Sequence, residues 1–224
     1  MFSYLPTLLL GLPVSLILMI VAVLIALLLS ILFTIIIMLN MYFISQLVKL
    51  YIILFTGTPF LVQLFLIYYG PGEFALLYTN PWLWSLLSQP WLCAILALAL
   101  NSAAYSTQLF VRSTRTIPPG LWQACTALGM SKLQSLRVLM PFAIKKSLTS
   151  YTNEIILVFK STSLVYTITI MDIMGYSQLI YGRTYDFLVF CTAGIIYLAI
   201  NSMLRFLMYQ IERRALRFAL CNEN

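Results

Sequence analysis

From Pro13 to Asn40 the chain is an almost unbroken run of Leu, Ile and Val, and residues 1–48 carry no charged side chain. Such a run exceeds the ~20 apolar residues that cross a bilayer, so it predicts a first membrane span over 13–40, long enough to tilt. Pro13 suits the first helical turn, where its missing N–H would be unpaired anyway. Further apolar runs predict spans at 50–69, 91–110, 147–170 and 187–208. The second is interrupted by Thr56-Gly57-Thr58-Pro59. A bilayer tolerates such a cluster only where neighbours or a cavity satisfy the freed backbone groups. Gly57 and Pro59 are thus candidates for a helix break or gate, the plain alternative being a kinked packing helix. Tyr68, Tyr69, Tyr78, Trp82, Trp84 and Trp91 crowd the loop predicted at 70–90, an aromatic belt at headgroup level. Asp172, Gly175, Gly182, Arg183 and Asp186 mark a second loop on the same outer side.

Between spans three and four the pattern changes. Pro118-Pro119-Gly120 leads into Leu121, Ala124, Cys125 and Leu128, spaced i, i+3, i+4 and i+7 as one apolar stripe of a short helix. Gly129 stands where a helix end favours a left-handed residue. Ser131 and Gln134 then form a Ser-x-x-Gln capping box for a second helix, and Pro141 is expected to stop or kink it. Residues 117–141 therefore predict a capped helix–turn–helix that offers its apolar stripe to a partner.

Charge orients this arrangement. Of the 224 residues 62% are hydrophobic and only 8% charged, against about 25% charged in soluble domains. Ten of the 13 Lys and Arg fall on one side of the expected five spans: Lys49, Arg112, Arg115, Lys132, Arg137, Lys145, Lys146, Arg213, Arg214 and Arg217. The positive-inside rule makes that side cytoplasmic, which puts the N-terminus outside and the C-terminus and the 117–141 loop inside. It also accounts for the net charge of +7 without a nucleic-acid partner. No Lys or Arg precedes the first apolar run, so a cleaved signal peptide is not expected. There is no histidine, and Cys93, Cys125, Cys191 and Cys221 make no C-x-x-C pair, so neither a metal site nor a disulfide framework is indicated. No G-x-x-x-x-G-K-[ST] occurs, so no cofactor is expected on this chain and any ATP would be held elsewhere.

Polar residues inside the spans are the candidate pathway. Asn101, Tyr105 and Gln108 fall at i, i+4 and i+7 on one face of the third span and must turn toward other helices or a watery cavity. Interhelical hydrogen bonding is the bland account. In the fourth span, Glu154 lies ~12 Å and Lys160 ~21 Å beyond Lys146 at ~1.5 Å per residue. Each is costly at that depth and must face protein, water or a ligand. They are six apart, about 240° around the helix, whereas Ser161 shares the face of Glu154.

The motifs also resemble a known family. Q-A-C-T-A-L-G-M, followed by Leu139-Met140-Pro141, is similar to the "EAA loop" with which ABC-importer permeases dock on their ATPase, with Gln123 at the usual Glu and Cys125 at the second Ala. G-T-P-F-L-V-Q, A-Y-S-T-Q-L and N-E-I-I-L-V-F-K-S-T-S-L resemble, in order, segments of the polar amino-acid permeases for histidine, glutamine and arginine. Gln108 stands where Glu is usual, and Ser161 where Asp is. F-T-G-T-P-F-L-V-Q, L-N-S-A-A-Y and Y-G-R-T-Y-D narrow the resemblance to the arginine-transporting members. It implies a type I ABC-importer permease fold and a bacterial inner-membrane location. It also implies a homologous partner permease in a heterodimer, two ATPase copies holding ATP and Mg, and a periplasmic amino-acid-binding protein. It implies ATPase coupling through Leu121, Gln123, Ala124, Cys125, Leu128, Gly129 and Met130.

Three functions compete. An ATP-driven importer permease fits the docking loop. A small secondary carrier would use Glu154 as its ion-coupled acid, but five spans with no evident repeat are unlike the paired repeats of such carriers. A membrane enzyme or scaffold is disfavoured by the missing histidine and the few carboxylates. The expectation is a non-catalytic permease subunit carrying arginine or another basic amino acid past Glu154, Asn101, Tyr105, Gln108 and Ser161.

Overall fold

The computed structural model describes residues 4–74 and 79–220, with side chains to 214; Tyr78, Cys221 and the Arg217 side chain lie outside the described residues. Secondary structure among them is helical: α1 (Leu5–Leu9), α2 (Leu12–Leu39), α3 (Tyr42–Gly57), α4 (Phe60–Tyr69), α5 (Pro81–Leu87), α6 (Pro90–Arg115), α7 (Pro119–Ala127), α8 (Lys132–Ser161), α9 (Ile173–Thr184) and α10 (Leu188–Leu220). Two 3₁₀ segments, Gly70–Glu73 and Thr162–Ile168, join them.

Three stretches cross a membrane by length and composition as single units: Leu5–Leu39, Pro90–Arg115 and Leu188–Arg214. Two more qualify as bent pairs, Tyr42–Gly57 with Phe60–Glu73 at 110° and Lys132–Ile168 with Ile173–Thr184 at 48°. Small side chains hold the bundle together. Ser15, Ala22, Ala26, Ser30 and Thr34 of α2 are buried, and α6 faces them with Cys93, Ala94, Ala97, Ala103 and Ala104. Where lipid is as apolar as leucine, such residues let helix backbones approach and gain packing that bulkier ones forbid. The α1–α2 junction approaches the start of α9 so closely that a Cβ on Gly11 would sit 2.3 Å from the Asp172 carbonyl carbon. Only glycine fits there.

Several expectations change. Pro141 neither ends nor separates the second helix of the loop: α8 runs through it for 30 residues, from the capping box into the fourth span. The lost backbone bond is compensated by burial of Leu139, Met140 and Ala143 on either side of it. The fourth span itself begins as a continuation of the loop and gives way to 3₁₀ geometry at Thr162. Neither outer loop is irregular throughout. Asn80 caps α5 through bonds from the Trp82 and Leu83 amides, with Pro81 at the first helical position. Asp172 caps α9, accepting from the Gly175 amide at 2.8 Å, so most of the expected second outer loop is helix. Asp172 is fully buried, and the Tyr197 hydroxyl donates to its other oxygen at 3.3 Å. On the surface above, the Tyr4 hydroxyl donates to Asp186 at 2.8 Å.

Candidate functional site

The break in the second span builds the first candidate site. Pro59 has no N–H and confines Thr58 to extended backbone, φ −117° and ψ 147°. Carbonyls at the end of α3 are thereby freed. Gln63, one turn into α4, collects them: its Nε2 lies 2.7 Å from the Phe55 carbonyl, 3.0 Å from that of Thr58 and 2.8 Å from Thr58 Oγ1. Its Oε1 accepts from Asn101 Nδ2 at 2.9 Å, and the Tyr105 hydroxyl reaches the Thr56 carbonyl at 3.4 Å. The polar stripe of α6 thus holds the bend of α3–α4 open.

Beside that bend lies a cavity of 230 Å³ lined by Thr58, Pro59, Asn101, Tyr105, Glu154 and Ser161, with Phe60, Leu98, Leu157 and Val158 as its apolar wall. Glu154 is 6% exposed, and Ser102 of α6 is its hydrogen-bond partner. A single carboxylate in a largely apolar hollow favours a cationic occupant, since an unpaired carboxylate is expensive to bury. Four of the five expected pathway residues meet here. Gln108 does not: it is half-buried further along α6 and lines no part of this cavity. Gly57 also stays apart, for it is the last residue of α3 with open space around it, and Thr58–Pro59 makes the break. The family-like motif contained Gln63, yet nothing in the sequence pairs it with Asn101.

The second candidate site is the α7–α8 knob. Gly129 turns the chain at φ 70°. Ser131 Oγ accepts from the Gln134 amide at 3.3 Å, and the Gln134 side chain accepts from the Ser131 amide at 2.8 Å, so the capping box forms in full. The expected stripe divides. Leu121, 40% exposed, and Leu128, 74% exposed, face outward with Gln123, Ala124 and Gly129. Cys125 does not belong to that surface: it is buried against Ile117, Leu139 and Ala143, with Trp122 and Met130 alongside. It pins α7 onto α8, because a three-residue turn leaves one side of so short a helix against its neighbour. Lys146 Nζ ties the knob to α6, donating to the Thr116 carbonyl at 3.2 Å.

Comparison with known proteins agrees with both sites. The family model described as "Binding-protein-dependent transport system inner membrane component" matches residues 42–217. The arginine ABC transporter permease protein ArtM of Escherichia coli K12 is 62% identical over 218 residues, covering 97% of this chain and 98% of the relative. ArtM of Haemophilus influenzae is 50% identical over 217 residues, covering 96% and 95%. Among solved structures, a chain from the "Crystal structure of an amino acid ABC transporter with histidines" superposes with TM-score 0.81 at 29% identity, covering 96% of each chain. The chain belongs to the binding-protein-dependent transport system inner membrane components, and it is a membrane permease subunit of an ABC importer.

Proposed function

We propose that this chain forms half of the translocation pathway for arginine or another basic L-amino acid across a bacterial inner membrane. The observation that carries the reading is the buried Glu154 in the hollow beside the Thr58–Pro59 break, ringed by Asn101, Tyr105 and Ser161. Glu154 meets the cationic end of the solute, and the neighbouring hydroxyls and amide align it. At 230 Å³ the hollow is smaller than the ~300–1,000 Å³ of a complete small-molecule site, which suits a half-site completed by a second permease. The two arginine permeases among the relatives support the substrate class.

The five-crossing topology, with the N-terminus outside, follows from counting each bent pair as one span and from the clustering of Lys and Arg about the knob. A separate ATPase, present as two copies that hold ATP and Mg, docks on Leu121, Gln123, Ala124, Leu128 and Gly129. A periplasmic binding protein delivers the solute. Glu154→Gln in the assembled, reconstituted complex should abolish ATP-driven uptake of labelled arginine while basal ATP hydrolysis persists. Equal loss of both activities would make Glu154 a structural residue and end this reading.

A further inference from the structure

Lys160 has no place in the mechanism above. It is exposed on α8 and lines a groove of 510 Å³ along α10 together with Asn201 and Arg205, between the apolar Leu198, Phe206 and Tyr209. The Asn201 Oδ1 atom is buried and accepts no hydrogen bond. Two cations and an orphaned acceptor therefore share one trough, and among the described residues no carboxylate lines it. Depth makes this costly. Lys160 lies ~21 Å beyond Lys146 along α8, and Arg205 ~12 Å before Arg213 along α10. Arg205 can snorkel toward headgroups, but Lys160 is too deep to do so. Acyl chains offer it nothing, so its counter-charge has to come from protein.

This chain cannot supply that charge to a copy of itself. Its six acidic residues are Glu73, Glu154, Asp172, Asp186, Glu212 and Glu223. Glu154 is buried in its own hollow on the far side of α8, and Asp172 is buried as the cap of α9. Asp186 holds Tyr4, and Glu212 accepts from Thr149 of α8. Glu73 lies in the Gly70–Glu73 turn beyond the second span, and Glu223 is outside the described residues. We propose that the α8–α10 groove seats a carboxylate-bearing helix of a second, non-identical permease, which neutralises Lys160 and donates a hydrogen bond to Asn201. This rests on the paired-permease reading above and deepens it, since it says where the partner binds and why it differs in sequence.

The test uses the complex purified with its partner chains. Lys160→Glu should reduce the co-purifying second permease at least tenfold, Lys160→Met should reduce it less, and Lys160→Arg should retain it. A photoreactive residue at Leu198, in otherwise wild-type chain, should cross-link to a permease of different sequence, identified by mass spectrometry. That measurement decides the matter if Lys160→Glu fails to insert. Full assembly of Lys160→Glu with a raised KM for uptake would assign the lysine to the solute carboxylate and overturn the proposal. Loss of bound phospholipid alone would assign it to lipid, and cross-linking to an identical copy would remove the non-identical partner. A wild-type chain that binds no permease at all would instead sink the paired pathway itself.

Discussion

Replacing Gly129 with alanine adds one methyl group at φ 70°, and no atom lies within 4 Å of where its Cβ would stand. Without a clash, the cost is that of a left-handed backbone for a residue with a Cβ, about 1–2 kcal/mol. Two bonds close this turn, from the Gly129 amide to Thr126 and from the Met130 amide to Cys125, both 3.0 Å. They set Leu128 outward while Cys125 points in. A loss of about 1–2 kcal/mol shifts the balance between formed and opened turn by roughly five- to thirtyfold. Asparagine visits the left-handed region more readily, so Gly129→Asn should fall between glycine and alanine. The assay is retention of the ATPase on the purified permease, alongside ATP-driven uptake, with membrane yield as the control for insertion. The expected order is Gly, Asn, Ala. Alanine indistinguishable from wild type, or alanine and asparagine equally impaired, would refute a docking surface set by the backbone of this turn.

Gly11→Ala forces a Cβ into the Asp172–Ile173 backbone, which cannot rotate away as a side chain could, so the thermal midpoint should fall by the equivalent of about 1–3 kcal/mol; an unchanged midpoint would mean that α1 is not held there. Gln63→Leu leaves the Phe55 and Thr58 carbonyls and the Asn101 amide without their partner, at about 1–3 kcal/mol for each buried group left unpaired, and a melt as stable as wild type would discard the role of Gln63 at the bend. In single-cysteine variants, an impermeant maleimide applied to inside-out vesicles should modify Leu128→Cys fast and native Cys125 slowly, since the first site is open and the second 6% exposed; the reverse order would invert the knob. The Leu188 amide first, then the Tyr4 hydroxyl, hold the Asp186 carboxyl below its ordinary range. A depressed carboxylate stabilises above its unfolded value near 4 and loses that contribution as pH falls through the folded one. The difference in melting between wild type and Asp186→Asn should therefore vanish only at strongly acidic pH, and a gap that grows on acidification would contradict it.

Local signals in the sequence translated directly where the chemistry was local. Ser131 and Gln134 cap because their side chains reach backbone three residues away, and no tertiary contact can easily override that. Gly129 sits left-handed for the same kind of reason. Asp172 before Ile173 carried an equally local signal, an N-cap opening an apolar helix, but nearby Gly175 and Gly182 read as loop. Pro141 misled because a rule about backbone hydrogen bonds competes with the burial on both sides of it, which only the fold reveals. The i+7 stripe from Leu121 to Leu128 gave a face without saying how much a neighbouring helix would cover, so Cys125 was grouped with residues it does not join. The cavity was half legible: Asn101, Tyr105, Glu154 and Ser161 follow from periodicity and depth, whereas the bond from Asn101 to Gln63 spans 38 positions and has no signature in either segment.

Because α8 is continuous from Lys132 to Ser161, it behaves as a strut of roughly 45 Å. A push delivered at the capping box is not absorbed by a hinge at Pro141, and it arrives undiminished at Glu154 and Lys160. Compliance begins only at Thr162, where the winding tightens. The carboxylate of the half-site and the lysine of the neighbouring groove therefore travel with the knob as one rigid piece. The ATPase stroke, the solute's grip and the fit between the two permeases become three readings of a single displacement.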